Sequence, residues 1–109
     1  MTVELPAPIA GYFSADKDAD ANAITRHFTD GATVRDEGRT FARHEAIRQW
    51  KIASSTKYTY TVEPFRVADE AGLTVVTAHL TGNFPGSPVD LRYLFTLTGE
   101  GVSGLEIRL

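Results

Sequence analysis

Cysteine is absent from this chain of 109 residues, which excludes disulfide bridges, thiolate-bound zinc and a cysteine nucleophile together and fits a reducing cytoplasm. Clustered positive charge is also lacking. Eleven Lys and Arg are scattered among fourteen Asp and Glu, giving a net charge of −3 and a pI near 5.5. Neutralising a phosphate backbone needs a basic face, so nucleic acid is not an expected partner. No window reaches the roughly 18 consecutive apolar residues of a membrane span. The opening MTVELPAPIAGYF has no basic start, and Pro6 and Pro8 interrupt its apolar run, so it does not read as a secretory signal. Repeats, low-complexity tracts and linkers are missing too. The expectation is a soluble, cytoplasmic, single domain spanning 1–109, large enough to bury about two-thirds of its unfolded surface.

Several catalytic signatures are absent or fail on context. GEGVSG, residues 99–104, matches the pattern GxGxxG, but a dinucleotide site needs a helix after the glycines. Only five residues remain, and they alternate as a strand, so the segment is a hairpin turn. His27, His44 and His79 have no recognised ligand spacing, and no metal or other cofactor is expected. Without a GxSxG elbow, covalent hydrolase chemistry has no support either.

What is present is 42% hydrophobic residues, 10% of the chain being aromatic, in two successive rhythms. Ile9, Tyr12, Phe13 and Asp16 are spaced by threes and fours, predicting a first helix from about Pro6 to Asp16, with the prolines tolerable only around its first turn. The acidic DKDAD offers caps for a second helix, in which Ala21, Ile24 and Phe28 share a face before TDG ends it. ATVRD reads as a short strand, and EGR turns the chain toward Thr40 and Phe41. Ala46, Ile47, Trp50 and Ala53 then define a third helix in ARHEAIRQWKIASS. From Lys57 onward the period becomes two, with strands in KYTYTVEPFRV, LTVVTAHLTGNF, VDLRYLFTL and VSGLEIRL. Their short connections imply an antiparallel meander. The order α-α-β-β-α-β-β-β-β predicts an α+β fold, with three helices packed on one face of a strongly curved, mainly antiparallel sheet.

Within GATVRDEG, Asp36 and Glu37 stand at a strand end. Alternation sends Arg35 to the face opposite Asp36, so the guanidinium is badly placed to neutralise it, whereas Val34 shares the Asp36 face. If that face looks into an apolar cavity, desolvation raises the carboxylate toward the range of a general base. Glu37 falls in the turn, toward solvent. On pattern alone, the favoured reading of Asp36 is a strand-end turn residue.

GYFSADKDADANAITRHFTDGATVRDEG followed by RHEAIRQW resembles the NTF2-like superfamily, particularly its SnoaL-like and ketosteroid-isomerase-like members. The likeness covers nearly the whole chain and implies a cone-shaped fold with a pocket inside. In ketosteroid isomerases a tyrosine of the first helix donates to the substrate oxyanion, and an aspartate ending the first strand shuttles the proton. Tyr12 and Asp36 match those positions with the family's spacing, twenty-four residues apart. Tyr93 falls where the family has a carboxylic acid as second donor, and Lys51 where a supporting tyrosine is expected, so the steroid substrate is not carried over. The likeness also turns the Val75, Thr77, His79 and Thr81 face of one strand toward the pocket, implying for His79 the acid–base role that SnoaL-like cyclases give a cavity histidine. The epoxide-hydrolase variant of the fold needs an arginine between two acids, and that set cannot be assembled here.

The implied catalytic residues are therefore Asp36, Tyr12, Tyr93 and His79, with Phe13, Phe28, Trp50, Phe84, Phe95 and Thr77 as ligand wall. The expected ligand is small and apolar with one or two oxygen acceptors, because aromatic wall is plentiful and no arginine cluster clamps a phosphate. The expected chemistry is proton transfer next to a carbonyl, as an isomerase or cyclase. The alternatives are a non-catalytic small-molecule binder and a protein-interaction domain of the same fold. A homodimer is expected through the outer sheet face, with Val76, Ala78 and Leu80 as its apolar row.

Overall fold

Pro6 precedes and Pro8 opens the first turn of helix α1, Ala7–Lys17, where a missing N–H leaves no helical bond unmade. The computed structural model describes residues 3–18 and 20–109. Asp20 caps the short α2, Ala21–Thr25, by accepting from the backbone N–H of Ala23 at 3.0 Å. Strands β1, Phe28–Asp36, and β2, Arg39–Ala42, form a hairpin that leads into α3, Arg43–Lys57. Four strands follow: β3, Tyr60–Glu70; β4, Leu73–Gly82; β5, Val89–Thr98; and β6, Gly101–Arg108. Among the described residues, no helix is long and apolar enough to cross a membrane.

The six strands form one sheet in the order β2-β1-β6-β5-β4-β3. The four C-terminal strands are an antiparallel meander, as their tight turns require. β6 then lies against β1 in parallel, with Val34 opposite Leu105 and Asp36 opposite Ile107. No short turn joins these two strands, so nothing local constrains their direction. This pairing also corrects the second helix. Phe28 does not belong to it but begins β1 opposite Val102, whose N–H donates to the carbonyl of His27 at 2.8 Å. Register shifts interrupt the β1–β6, β3–β4 and β5–β6 ladders, and each adds bend to the sheet. Pro64, beside one of these shifts, is tolerated because β3 is an edge strand.

The helices cover the concave side. Tyr12, Phe13, Ile24, Ile47 and Trp50 meet Val34, Val76, Ala78, Leu80, Tyr93 and Phe95 in one buried cluster. Here the expected orientation of β4 is reversed: Val76, Ala78 and Leu80 point into the core, while Thr77 and His79 lie on the outer face. The ladder accounts for this. Val76 stands opposite Tyr93 and Ala78 opposite Leu91, and directly opposed residues share a face. Once Tyr93 and Phe95 are inside, the apolar row of β4 follows. It therefore cannot be the outer row proposed for dimer contacts.

Candidate active site

Asp36 reaches the concave side because Val34, two residues earlier, is fully buried there and β1 alternates. Glu37 at φ 52° and Gly38 at φ 76° form the two-residue mirror-image turn favoured between twisted strands, which places Glu37 in solvent and ends β1 at the aspartate. The Trp50 indole Nε1 donates to Asp36 Oδ2 at 3.1 Å. Partial burial raises the carboxylate above its ordinary range, while the indole hydrogen bond pulls the other way by favouring the charged form.

Three phenols surround the same space. Tyr12 is 2% exposed and Tyr93 4%, their rings 6.3 Å apart. Burial holds both hydroxyls well above the ordinary phenol range, and the charges of Tyr60 and Asp36 add to it, with Tyr93 adding at Tyr12. Tyr60, from the start of β3, is half-buried, and burial raises its hydroxyl first, with the Asp36 charge contributing. These phenols stay protonated at every physiological pH, so each keeps a proton to donate to an acceptor brought between them.

The concave side is not uniformly sealed. Val62, Val89, Leu91 and Ile107 pack against the core yet remain partly exposed, as do Phe41 and Tyr60. Ile107 lies opposite both Asp36 and Tyr93, Leu91 opposite Ala78, and Val62 opposite Leu80, so this rim follows the inner face along one end of the sheet. Asp36 sits at its edge. Two shallow concavities of about 380 and 330 Å³ lie on the other side of the sheet, bounded by Arg66, Thr77, Asp90 and Arg92 in one and by Arg35, Leu94 and Thr96 in the other. Neither is lined by Asp36.

A buried ionic group adjoins the phenols. Lys51, 2% exposed, donates from Nζ to Asp16 Oδ1 and to the Tyr60 hydroxyl, the latter at 2.6 Å. Tyr60 in turn lies 3.3 Å from Asp16 Oδ1. Burial pulls Lys51 down from 10.5 to about 8.

Of the residues the sequence nominated, Tyr12, Tyr93, Phe13, Phe28, Trp50 and Phe95 share the buried cluster, and Asp36 is tied to its edge by Trp50. Phe84 lies at its margin, edge-on to Tyr58 with ring centres 6.2 Å apart. His79 does not join them. Its side chain is 48% exposed and Nδ1 lies 2.6 Å from Asp90 Oδ1 on the outer face, where Thr77 also lies. His44 instead donates from Nε2 toward the carbonyls of Phe28 and Thr29, at 2.9 and 3.1 Å. Among the described residues, no three His, Asp or Glu side chains gather as metal ligands. Tyr60, Lys51 and Asp16 were missed as site members. Their signal was the placement of Asp16 on the apolar stripe of the first helix, where a carboxylate needs a cationic partner.

No protein-family model matches the sequence. No curated protein matches it. Solved structures do. A candidate polyketide cyclase from Sinorhizobium meliloti is 36% identical over 95% of this chain and 95% of that one, with a TM-score of 0.90. The chain belongs to the same family as this candidate polyketide cyclase, within the NTF2-like, SnoaL-like superfamily. A ketosteroid-isomerase-like protein from Catenulispora acidiphila, solved with trimethylamine, shares the fold at 18% identity and a TM-score of 0.84, over 97% of this chain and 87% of that one. An NTF2-like protein from Cytophaga hutchinsonii does so at 11% identity and 0.74, over 99% and 93%. The NTF2-like cone thus places its helices over the inner face that carries Asp36 and the phenols.

Proposed function

We propose that this NTF2-like protein holds a small, mostly apolar carbonyl compound against the inner face of its sheet, and that Asp36 moves a proton at the adjacent carbon, giving isomerisation or ring closure. The observation that carries this reading is the Asp36 carboxylate itself: partly desolvated, held by Trp50, and on the same inner face as buried phenols that stay protonated. As the carbon loses its proton, negative charge moves to the carbonyl oxygen, and Tyr12 and Tyr93 are the donors for it. Val62, Leu91 and Ile107 supply the partly exposed apolar wall that a ligand would cover. The 36% identical protein from Sinorhizobium meliloti, a candidate polyketide cyclase, supports a substrate of this kind.

The test does not require the natural substrate. A panel of aromatic and alicyclic ketones in D₂O is followed by NMR for exchange of the protons next to the carbonyl. Wild-type protein should accelerate exchange for some members, and Asp36→Asn should lower that rate by about 10²- to 10⁴-fold while remaining folded. Undiminished exchange in the variant would remove Asp36 as the base. A panel that binds without exchange would favour the non-catalytic binder, a reading supported by how little of Tyr12 and Tyr93 is exposed.

A homodimer through the outer sheet face accompanies this proposal. With Val76, Ala78 and Leu80 inside, its apolar content would come from the partly exposed Leu73 and Leu94, framed by Arg92 and Glu106. Sedimentation should give a mass of two chains at micromolar concentration, and a monomer there would exclude it.

A further inference from the structure

We infer that Lys51, with Asp16 and Tyr60, is an amine centre that captures the carbonyl group of a small aldehyde or ketone as an iminium ion. This deepens the reading of the interior as a carbonyl site and rests on it.

Three observations support the inference. First, a lysine that is 2% exposed and paired with one carboxylate is an unusual way to fill a core. A buried ion pair is often no more stable than apolar residues of the same volume, so packing alone does not call for it. Second, the two partners are of the types that imine formation needs. Asp16 can accept the ammonium proton, and the Tyr60 hydroxyl, 2.6 Å from Nζ, can shuttle a proton between nitrogen and oxygen. Third, Tyr60 is half-buried at the rim and electrostatically coupled to Asp36, Tyr12 and Tyr93, so it connects the amine with the proposed base. In so apolar a setting the neutral amine and neutral acid compete with the ion pair, and the depression of Lys51 to about 8 points the same way.

The step balances. Lys51 passes one proton to Asp16, and its freed lone pair forms the bond to the carbonyl carbon while the π pair moves to oxygen. Tyr60 protonates that oxygen and recovers a proton from the nitrogen, leaving a neutral carbinolamine. Asp16 returns its proton to the hydroxyl, which departs as water as the nitrogen lone pair closes the C=N bond. The product is an iminium cation beside the Asp16 carboxylate. Its neighbouring C–H is more acidic than that of the free ketone, and Asp36 is the base available to take the proton. Hydrolysis reverses the sequence.

The chain contains only three lysines, of which Lys17 and Lys57 are exposed, so each molecule carries its own control. Wild-type protein is incubated at neutral pH with benzaldehyde and sodium cyanoborohydride, digested, and mapped by mass spectrometry. The expected result is reduced adduct mainly on Lys51, despite its burial. Tyr60→Phe should slow that labelling by about 10²-fold while leaving Lys17 and Lys57 unchanged. Lys51→Arg keeps a cation for Asp16 but cannot form an imine, and should lose the adduct. Label confined to Lys17 and Lys57 would overturn the proposal, as would labelling at Lys51 that ignores Tyr60. Trapping reads amine addition alone, whereas ketone exchange in Asp36→Asn reads proton transfer alone, so either proposal can fail without the other.

Discussion

Asp36 is governed by two opposing neighbourhoods. Burial disfavours its charge, and the Trp50 indole hydrogen bond favours it. Trp50→Phe keeps the aromatic volume and removes only the donor, so the Asp36 pKa should rise further. The acid limb of the rate–pH profile would then move to higher pH, whereas a purely packing role for Trp50 would lower the rate without moving the limb. The same shift bears on stability. The folded protein binds this proton more tightly than the unfolded chain, so the associated stability is complete below the ordinary carboxylate value of 3.8 and is lost as pH rises through the raised folded value. Asp36→Asn escapes that loss. It should melt higher than wild type in neutral buffer and close to it in acid, as calorimetry at both pH values would show. Glu37→Gln, in the exposed turn, removes a negative charge that helps raise Asp36, so it should move the acid limb slightly to lower pH, opposite to Trp50→Phe.

The elements depend on a few points of close contact. The first turn of α3 is tied to β1 by His44, whose Nε2 donates toward two carbonyls of that strand. His44→Ala leaves those oxygens without the imidazole, which should cost about 1–2 kcal/mol in urea unfolding. It should also weaken the placement of Trp50, which rides on the same helix. Gly82 marks where β4 passes the entrance to β3: a Cβ built there would lie 2.4 Å from the Thr59 carbonyl oxygen. That obstacle is backbone and cannot rotate away, so Gly82→Ala should cost about 1–3 kcal/mol and loosen the β3 end that carries Tyr60. A variant with unchanged urea midpoint would show that the β3–β4 ladder yields more easily than its geometry indicates.

At the scale of the whole molecule, the concave side carries the proposed base and donors, and the convex side is the face proposed for the dimer. β6 lies between β1 and β5, which brings Asp36 beside Ile107 and Tyr93 of the C-terminal hairpin. The buried Asp16–Lys51 pair joins α1 to α3 across the same interior. Lys51→Met alone strands a buried carboxylate and should lower stability by about 3–5 kcal/mol, whereas Lys51→Met with Asp16→Leu should recover most of it. Denaturant midpoints of the two variants decide whether the pair couples as its contact implies.

The sequence by itself determined the element order, the helical stripe that buries Ile9, Tyr12 and Phe13, and the separation of Asp36 from Arg35, because these depend on local period and chirality. It also carried the Tyr12–Asp36 pairing through the family's spacing. It did not determine which face of β4 turns inward: Val75, Thr77 and His79 alternate as regularly as Val76, Ala78 and Leu80, and a strand's period distinguishes two faces without orienting them. The ladder to β5 decided that, by setting Val76 opposite Tyr93 and leaving His79 to Asp90. Phe28 likewise passed from helix to strand only because β6 offered it a partner. The Asp16–Lys51–Tyr60 group was the least legible, since Asp16 lies 35 residues from Lys51 and 44 from Tyr60. Only tertiary packing removes water from all three at once, and that removal is what turns a lysine, an aspartate and a tyrosine into one chemical group.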